Sequence, residues 1–94
     1  MAVARVVAFE DVDSERMDQL TQEMESGGRP EEIPATEIVV LHDRDARKSL
    51  VILFFDSDDD YARGDQALSA MPADETPGRR ASVERYEVLT RMTA

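Results

Sequence analysis

The feature that most constrains this chain is one apolar run, KSLVILFF, at positions 48–55. A short run of β-branched, aliphatic and aromatic residues predicts a strand, whose side chains point alternately to its two faces. One face would carry Leu50, Ile52 and Phe54, and the other Val51, Leu53 and Phe55. A strand with one face in water would alternate apolar and polar residues instead. Both faces of the sheet that holds this strand therefore need to be covered.

The rest of the chain predicts a single domain, residues 1–94, built from four strands and two helices. The expected strands are 3–9, 36–43, 48–55 and 82–92. The first helix follows the capping residues Asp13 and Ser14 and ends at Gly27 and Gly28. The second spans 58–71 and is stopped by Pro72, with a loop from 72 to 81. The short polar link DRDAR predicts an antiparallel hairpin between the second and third strands.

This βαββαβ order predicts the α+β, ferredoxin-like fold, in which two helices cover one face of a four-stranded antiparallel sheet. The other face would be an exposed apolar patch of several hundred Å², which soluble monomers rarely keep. The simplest cover is a second copy of the same sheet, so we expect a homodimer that forms through this face. The residues do not decide which face of the strand 48–55 meets the partner.

Charge and cysteine content exclude several classes of function. Asp and Glu number 21 against 11 Lys and Arg, a net charge of -10, which disfavours nucleic-acid backbones and anionic membrane surfaces as partners. The chain has no cysteine, which excludes disulfides and thiolate chemistry and favours a cytoplasmic location. The apolar run near the N-terminus is too short for a signal peptide or a membrane span.

The acidic run DSDDD, residues 56–60, looks at first like a calcium loop. That motif requires glycine and glutamate where this chain has Tyr61 and Ala67. The run fits a helix start better, with Ser57 as the N-cap, acidic residues in the first turn and Asp59 paired with Arg63. We therefore predict capping and no metal site.

Three residues are candidates for catalysis: His42, Tyr86 and Arg85. His42 is the one histidine and the one side chain that titrates near neutral pH without perturbation. It could act as a base or a haem ligand, or simply make a hydrogen bond at a strand end. Tyr86 could direct its hydroxyl into a cavity or be an ordinary cross-strand aromatic, and Arg85 would point to the opposite face.

The segment HDRDARKSLVILFFDSDDDYARGDQAL resembles the hairpin and second helix of antibiotic-biosynthesis-monooxygenase-like proteins of the dimeric α+β barrel superfamily. In small bacterial members an Asp-Arg turn leads to a Lys-led apolar strand, and an aromatic, an acidic residue and a serine open the next helix. The matching residues here are Asp43, Arg44, Lys48, Phe55, Asp56 and Ser57. The resemblance implies a homodimer with an apolar cavity between sheet and helices.

The same resemblance limits which activity can be transferred. Members that oxidise polyphenols without a cofactor rely on Asn, Trp and Arg, and haem-degrading members use Asn and Trp with a His ligand. This chain contains neither Asn nor Trp, so neither set of residues can be carried over.

Three functional hypotheses follow. The first is a homodimeric binding protein, without a cofactor, that holds a small apolar or aromatic ligand between sheet and helices. The alternative is a cofactor-independent monooxygenase acting on an aromatic, polyketide-like substrate, with His42 as base and Tyr86 or Arg85 orienting an oxyanion. The third is a haem-binding or haem-degrading protein. The sequence does not decide whether the protein is an enzyme.

Overall fold

A computed structural model describes residues 2–27, 33–70 and 77–93. The predicted order of elements is confirmed: β1 (Val3–Glu10), α1 (Ser14–Gly27), β2 (Glu37–Asp43), β3 (Lys48–Phe55), α2 (Asp58–Ser69) and β4 (Arg79–Glu87). The predicted terminators Gly28 and Pro72 lie outside the described residues, as does the first half of the predicted loop 72–81.

The four strands form one antiparallel sheet in the order β2-β3-β1-β4. This is the ferredoxin-like topology that the order of elements predicted. In the register of the central pair, Val3 lies opposite Phe55, Arg5 opposite Leu53 and Val7 opposite Val51. Residues directly opposite each other share a face, so the odd-numbered side chains of β1 and β3 lie together on one side of the sheet.

That side is covered by both helices and holds the core in two clusters. The first centres on Val7, Phe9, Val12 and Met17. The second centres on Ile33, Ala35, Leu53 and Phe55, with Tyr61, Ala67 and Leu68 of α2 packed against it. We call this side the covered face and the opposite side the open face. On the open face Leu41 and Leu50, which lie opposite each other, are 48% and 38% exposed.

The two helices pack against the covered face to different degrees. In α2, Gly64 is buried against the ring of Phe55, and Tyr61 meets that ring edge-on at 5.6 Å between centroids. In α1, Met17 is the buried residue, and Met24, two turns later, is 37% exposed. The C-terminal half of α1 therefore stands away from the sheet.

The start of α2 confirms the capping interpretation of the acidic run. The hydroxyl of Ser57 accepts a hydrogen bond from the backbone N–H of Asp60 at 3.2 Å, and three aspartates fill the first turn. The expected ion pair has a different partner, because Arg63 lies 3.5 Å from Asp60 rather than pairing with Asp59.

The start of α1 uses a similar cap, because a side-chain oxygen of Asp13 accepts a hydrogen bond from the N–H of Glu15 at 3.0 Å. The predicted capping role of Asp13 is therefore confirmed.

The bounds of β4 differ from the predicted strand 82–92. The strand begins earlier, at Arg79, after Gly78 passes so close to the backbone of Glu10 that a Cβ would lie 2.6 Å from its carbonyl oxygen. It ends at Glu87, opposite Val3. The N–H of Val88 bonds to the carbonyl of Ala2, just before β1 begins, so the described residues beyond 88 extend past the start of β1 and are not part of the strand.

Candidate functional site

A cavity of about 220 Å³ opens between the covered face and α1. It exists because α1 rests on Met17 while its second half stands away from the sheet. Its wall is mostly apolar and comes from all four strands, α1, the end of α2 and two residues outside these elements; it includes Val7, Val40, Val51, Leu20, Met24 and Leu68. A buried apolar cavity of about 150 Å³ is enough to bind benzene, so this one has room for a small substituted aromatic or a short acyl chain.

One buried charge lies on the wall of this cavity. Arg5, in the middle of β1, is 2% exposed, and its Nε donates a hydrogen bond to Asp65 of α2 at 2.8 Å. Its Nη2 is also buried and makes no hydrogen bond to any described residue. A buried donor without a partner is rare in folded proteins and costs free energy.

Sequence reasoning missed Arg5, although a signal was present. Arg5 occupies an odd position in the strand VARVVAF, between Val3 and Val7. Period-two alternation therefore puts its side chain on the same face as these two core residues. A lone cation at an inward-facing position of a strand is unusual enough to be examined as a site residue.

A second arginine, Arg80 of β4, lies at the rim of the cavity. Its side chain is exposed and its Nη2 lies 3.4 Å from the carbonyl oxygen of Leu68.

Tyr61 of α2 is near the Arg5–Asp65 pair, and burial together with the charge of Asp65 raises the pKa of the Tyr61 hydroxyl. Tyr61 is therefore a neutral phenol at physiological pH.

His42 lies on the covered face near the end of β2 and does not line the cavity. It is directly opposite Ser49 of β3, and His42 Nε2 and Ser49 Oγ are both buried without a hydrogen bond to a described residue. Nearby, an exposed ion pair joins Arg44 to Asp18 at 2.8 Å, and the hydrogen bond from Arg44 lowers the pKa of Asp18.

Tyr86 and Arg85 lie on β4, at the opposite edge of the sheet from β2. Tyr86 is 51% exposed on the open face, and its hydroxyl donates a hydrogen bond to Glu84 at 2.7 Å. This hydrogen bond raises the pKa of the Tyr86 hydroxyl. Arg85, on the covered face, pairs with Asp58 and lies 5.6 Å from the ring of Tyr61. Three strand spacings, about 14 Å, separate β4 from β2, so the fold does not bring the three predicted catalytic residues together.

The described geometry defines a class of protein: a ferredoxin-like α+β domain with an apolar cavity between sheet and helices. Comparison with solved structures agrees with this class. The chain is similar to a protein from Chloroflexus aurantiacus J-10-fl assigned as an antibiotic biosynthesis monooxygenase, with a TM-score of 0.63 and 9% identity over 99% of this chain and 98% of that one.

Two further structures share the fold. Rv0793 from Mycobacterium tuberculosis matches with a TM-score of 0.60 and 12% identity, over 99% of this chain and all of that one. A substituted form of MhuD with two manganese protoporphyrin IX molecules bound per active site matches with a TM-score of 0.63 and 14% identity, over 98% of this chain and 99% of that one. No protein-family model matches the chain, and no curated protein matches its sequence significantly. At these identities the likeness establishes the fold alone.

The porphyrin in the last of these structures raises the question of whether haem fits here. A cavity of about 220 Å³ is only half as large again as one that accepts a single benzene ring, whereas a porphyrin contains four pyrrole rings. The one histidine of the chain, His42, is not among the described residues that line the cavity. The cavity as it stands does not fit haem.

Within the described residues, no helix is long and apolar enough to cross a membrane.

Proposed function

We propose that this protein is a homodimeric binding protein that holds a small apolar or aromatic ligand in the cavity under α1. The observation that carries the proposal is the cavity itself, which lies between the covered face and α1 and is walled mainly by aliphatic side chains, methionines and Phe9. Concave apolar sites with few polar groups are typical of small-molecule binding. The cytoplasmic location expected from the lack of cysteine, and the absence of nucleic-acid and membrane partners, stay predictions.

The open face supports the dimer. Its centre is apolar, including Val39, Leu41, Leu50, Ile52 and Phe54, while charged residues such as Glu37 and Lys48 lie at its ends. An apolar centre with a polar rim is typical of protein interfaces.

The segment after β4 enlarges this surface. Arg91 crosses to the far edge of the sheet, pairs with Glu37 at 2.7 Å and stacks on Phe54 at 4.1 Å. Leu89 and Met92, on either side of Arg91 in the chain, are almost fully exposed.

We expect wild-type protein at tens of micromolar to have twice the monomer mass by light scattering coupled to size exclusion.

The monooxygenase alternative would use the same cavity for an electron-rich aromatic substrate. A general base must come within hydrogen-bond reach of the proton that it removes. His42, Tyr86 and Arg85 do not line the cavity, so this geometry favours binding over catalysis. The alternative predicts oxidation of a polyphenol that depends on His42, and an oxygen-consumption assay with wild type and His42→Ala tests it.

Filling the cavity tests the binding proposal directly. Val40 lines the cavity, whereas its neighbour Val39 points to the open face. Val40→Phe should occupy the space and abolish binding of the neutral aromatic probe 2-naphthamide, measured by titration calorimetry, while the fold is retained. Val39→Phe adds the same ring on the other face and should leave probe affinity close to wild type. Equal binding by both variants would show that the probe does not occupy this cavity.

A further inference from the structure

We infer that the ligand of this cavity carries an acidic group and that Arg5 is the residue that binds it. The inference rests on the proposed function and extends it from an apolar ligand to a small apolar acid, such as an aromatic or short-chain carboxylate. Two independent observations support it: the incomplete hydrogen bonding of Arg5, and the sign of the charges on the cavity wall.

The first observation is that Arg5 is incompletely paired. A guanidinium has five N–H donors and no acceptor. Nε of Arg5 is bonded to Asp65, but Nη2 is shielded from water and has no partner among the described residues. Asp65 is 40% exposed, so its carboxylate also remains partly hydrated. Arg5 therefore retains donor capacity that a second carboxylate could use, and arginine is well suited to bind carboxylates through parallel hydrogen bonds.

The second observation concerns the whole cavity wall. The chain has 21 acidic and 11 basic residues, yet the charged residues on the described wall are the two arginines Arg5 and Arg80. Every other described lining residue is apolar. Asp65 offsets part of the charge of Arg5, so the positive charge on the wall is smaller than that of two free cations, but a low-dielectric space with this excess still favours an anion over a cation. A neutral hydrocarbon would leave Nη2 unpaired.

The test compares two probes of nearly identical shape, 2-naphthoate and its neutral amide, 2-naphthamide, by titration calorimetry. Wild-type protein should bind the carboxylate at least about tenfold more tightly, because a hydrogen bond to a charged group contributes more than one to a neutral group. Arg5→Met keeps an unbranched apolar stem and removes the guanidinium. It should remove most of the preference by weakening 2-naphthoate while leaving 2-naphthamide nearly unchanged.

Two further variants separate ligand recognition from a structural role. Asp65→Asn removes the carboxylate that competes for Arg5, so binding of 2-naphthoate should be kept or strengthened. If Arg5 serves only to join β1 to α2, Asp65→Asn and Arg5→Met should instead affect both probes alike. Arg63→Met makes the same charge change on an exposed part of α2 outside the cavity wall and should retain the wild-type preference for 2-naphthoate.

The possible failures point to different conclusions. Equal affinity of the two probes for wild type, or a preference that survives in Arg5→Met, overturns the role of Arg5 and leaves the binding proposal standing. If neither probe binds wild type, the proposed function fails and this inference fails with it. If Arg5→Met does not fold, the wild-type preference and the behaviour of Asp65→Asn decide the question.

Discussion

The two faces of β3 are built from the same kinds of residue but lie in different surroundings. Leu53 and Phe55 are buried beneath the helices, whereas Leu50 and Ile52 lie on the open face, where Leu50 is substantially exposed. No difference in hydrophobicity between these neighbours accounts for the contrast. Burial of an apolar side chain depends on what packs over it. The described residues supply two helices for one face, whereas the other face receives the segment after β4, whose Arg91 stacks on Phe54.

The covered face is itself unequal from one helix to the other. Under α2 the backbone at Gly64 lies directly against the ring of Phe55, which leaves no space between helix and sheet at this point. Under α1 the contact is concentrated at Met17, and the remaining space is the cavity. Tight packing under α2 stabilises the sheet, and loose packing under α1 leaves room for a ligand on the same face.

The largest expected effect follows from placing a charge on the covered face. Leu53→Arg would bury a second cation directly opposite Arg5. An unpaired buried charge costs several kcal/mol, against a total stability of about 5 to 15 kcal/mol for a small domain. We expect loss of cooperative thermal unfolding by circular dichroism. Leu53→Met should unfold cooperatively, and cooperative unfolding of the arginine variant would show that this face is not the core.

Placing the same charge one residue earlier, at position 52, should prevent dimer formation instead of folding. Ile52→Arg places the cation on the open face, where a monomer leaves it hydrated but a partner sheet would bury it. We expect a folded protein with the monomer mass by light scattering, and Ile52→Leu should keep the dimer mass. A wild type that is already monomeric at tens of micromolar contradicts the dimer, as does an arginine variant with the wild-type mass and melting temperature.

A smaller effect distinguishes the two helices. A Cβ at Gly64 would lie 2.5 Å from Cε1 of Phe55, whose ring is fully buried, while a Cβ at Gly27 of α1 would meet nothing within 4 Å. Gly64→Ala should lower the free energy of unfolding by up to about 2 kcal/mol, because overpacking costs about 1 to 3 kcal/mol and the gain in helix propensity offsets about 1 kcal/mol of that.

The matched variant Gly27→Ala should be neutral or stabilising by up to about 1 kcal/mol. Urea unfolding of both variants measures the difference. If the two alanines have the same effect, α2 does not pack more tightly than α1.

How much of the site could be predicted from sequence differs from residue to residue. The cap at Ser57 was predictable because a capping box is formed by residues close together in sequence. The burial of Arg5 was missed although strand alternation could have indicated it, whereas its pairing with Asp65, 60 positions away in the chain, was not predictable from sequence. The predicted candidates His42 and Tyr86 were chosen for their chemistry, and the strand order places them at opposite edges of the sheet.

The sequence by itself determined the order of elements, the two apolar faces of β3 and the start of α2, because each depends on alternation or spacing within a few residues. The tertiary structure alone decided which face the helices cover, where β4 ends and that the cavity lies under α1. These depend on contacts between distant segments: Val88 reaches the point where β1 begins, and α1 rests on Met17. Short-range patterns carry no information about such distances, so only the packed chain could reveal them.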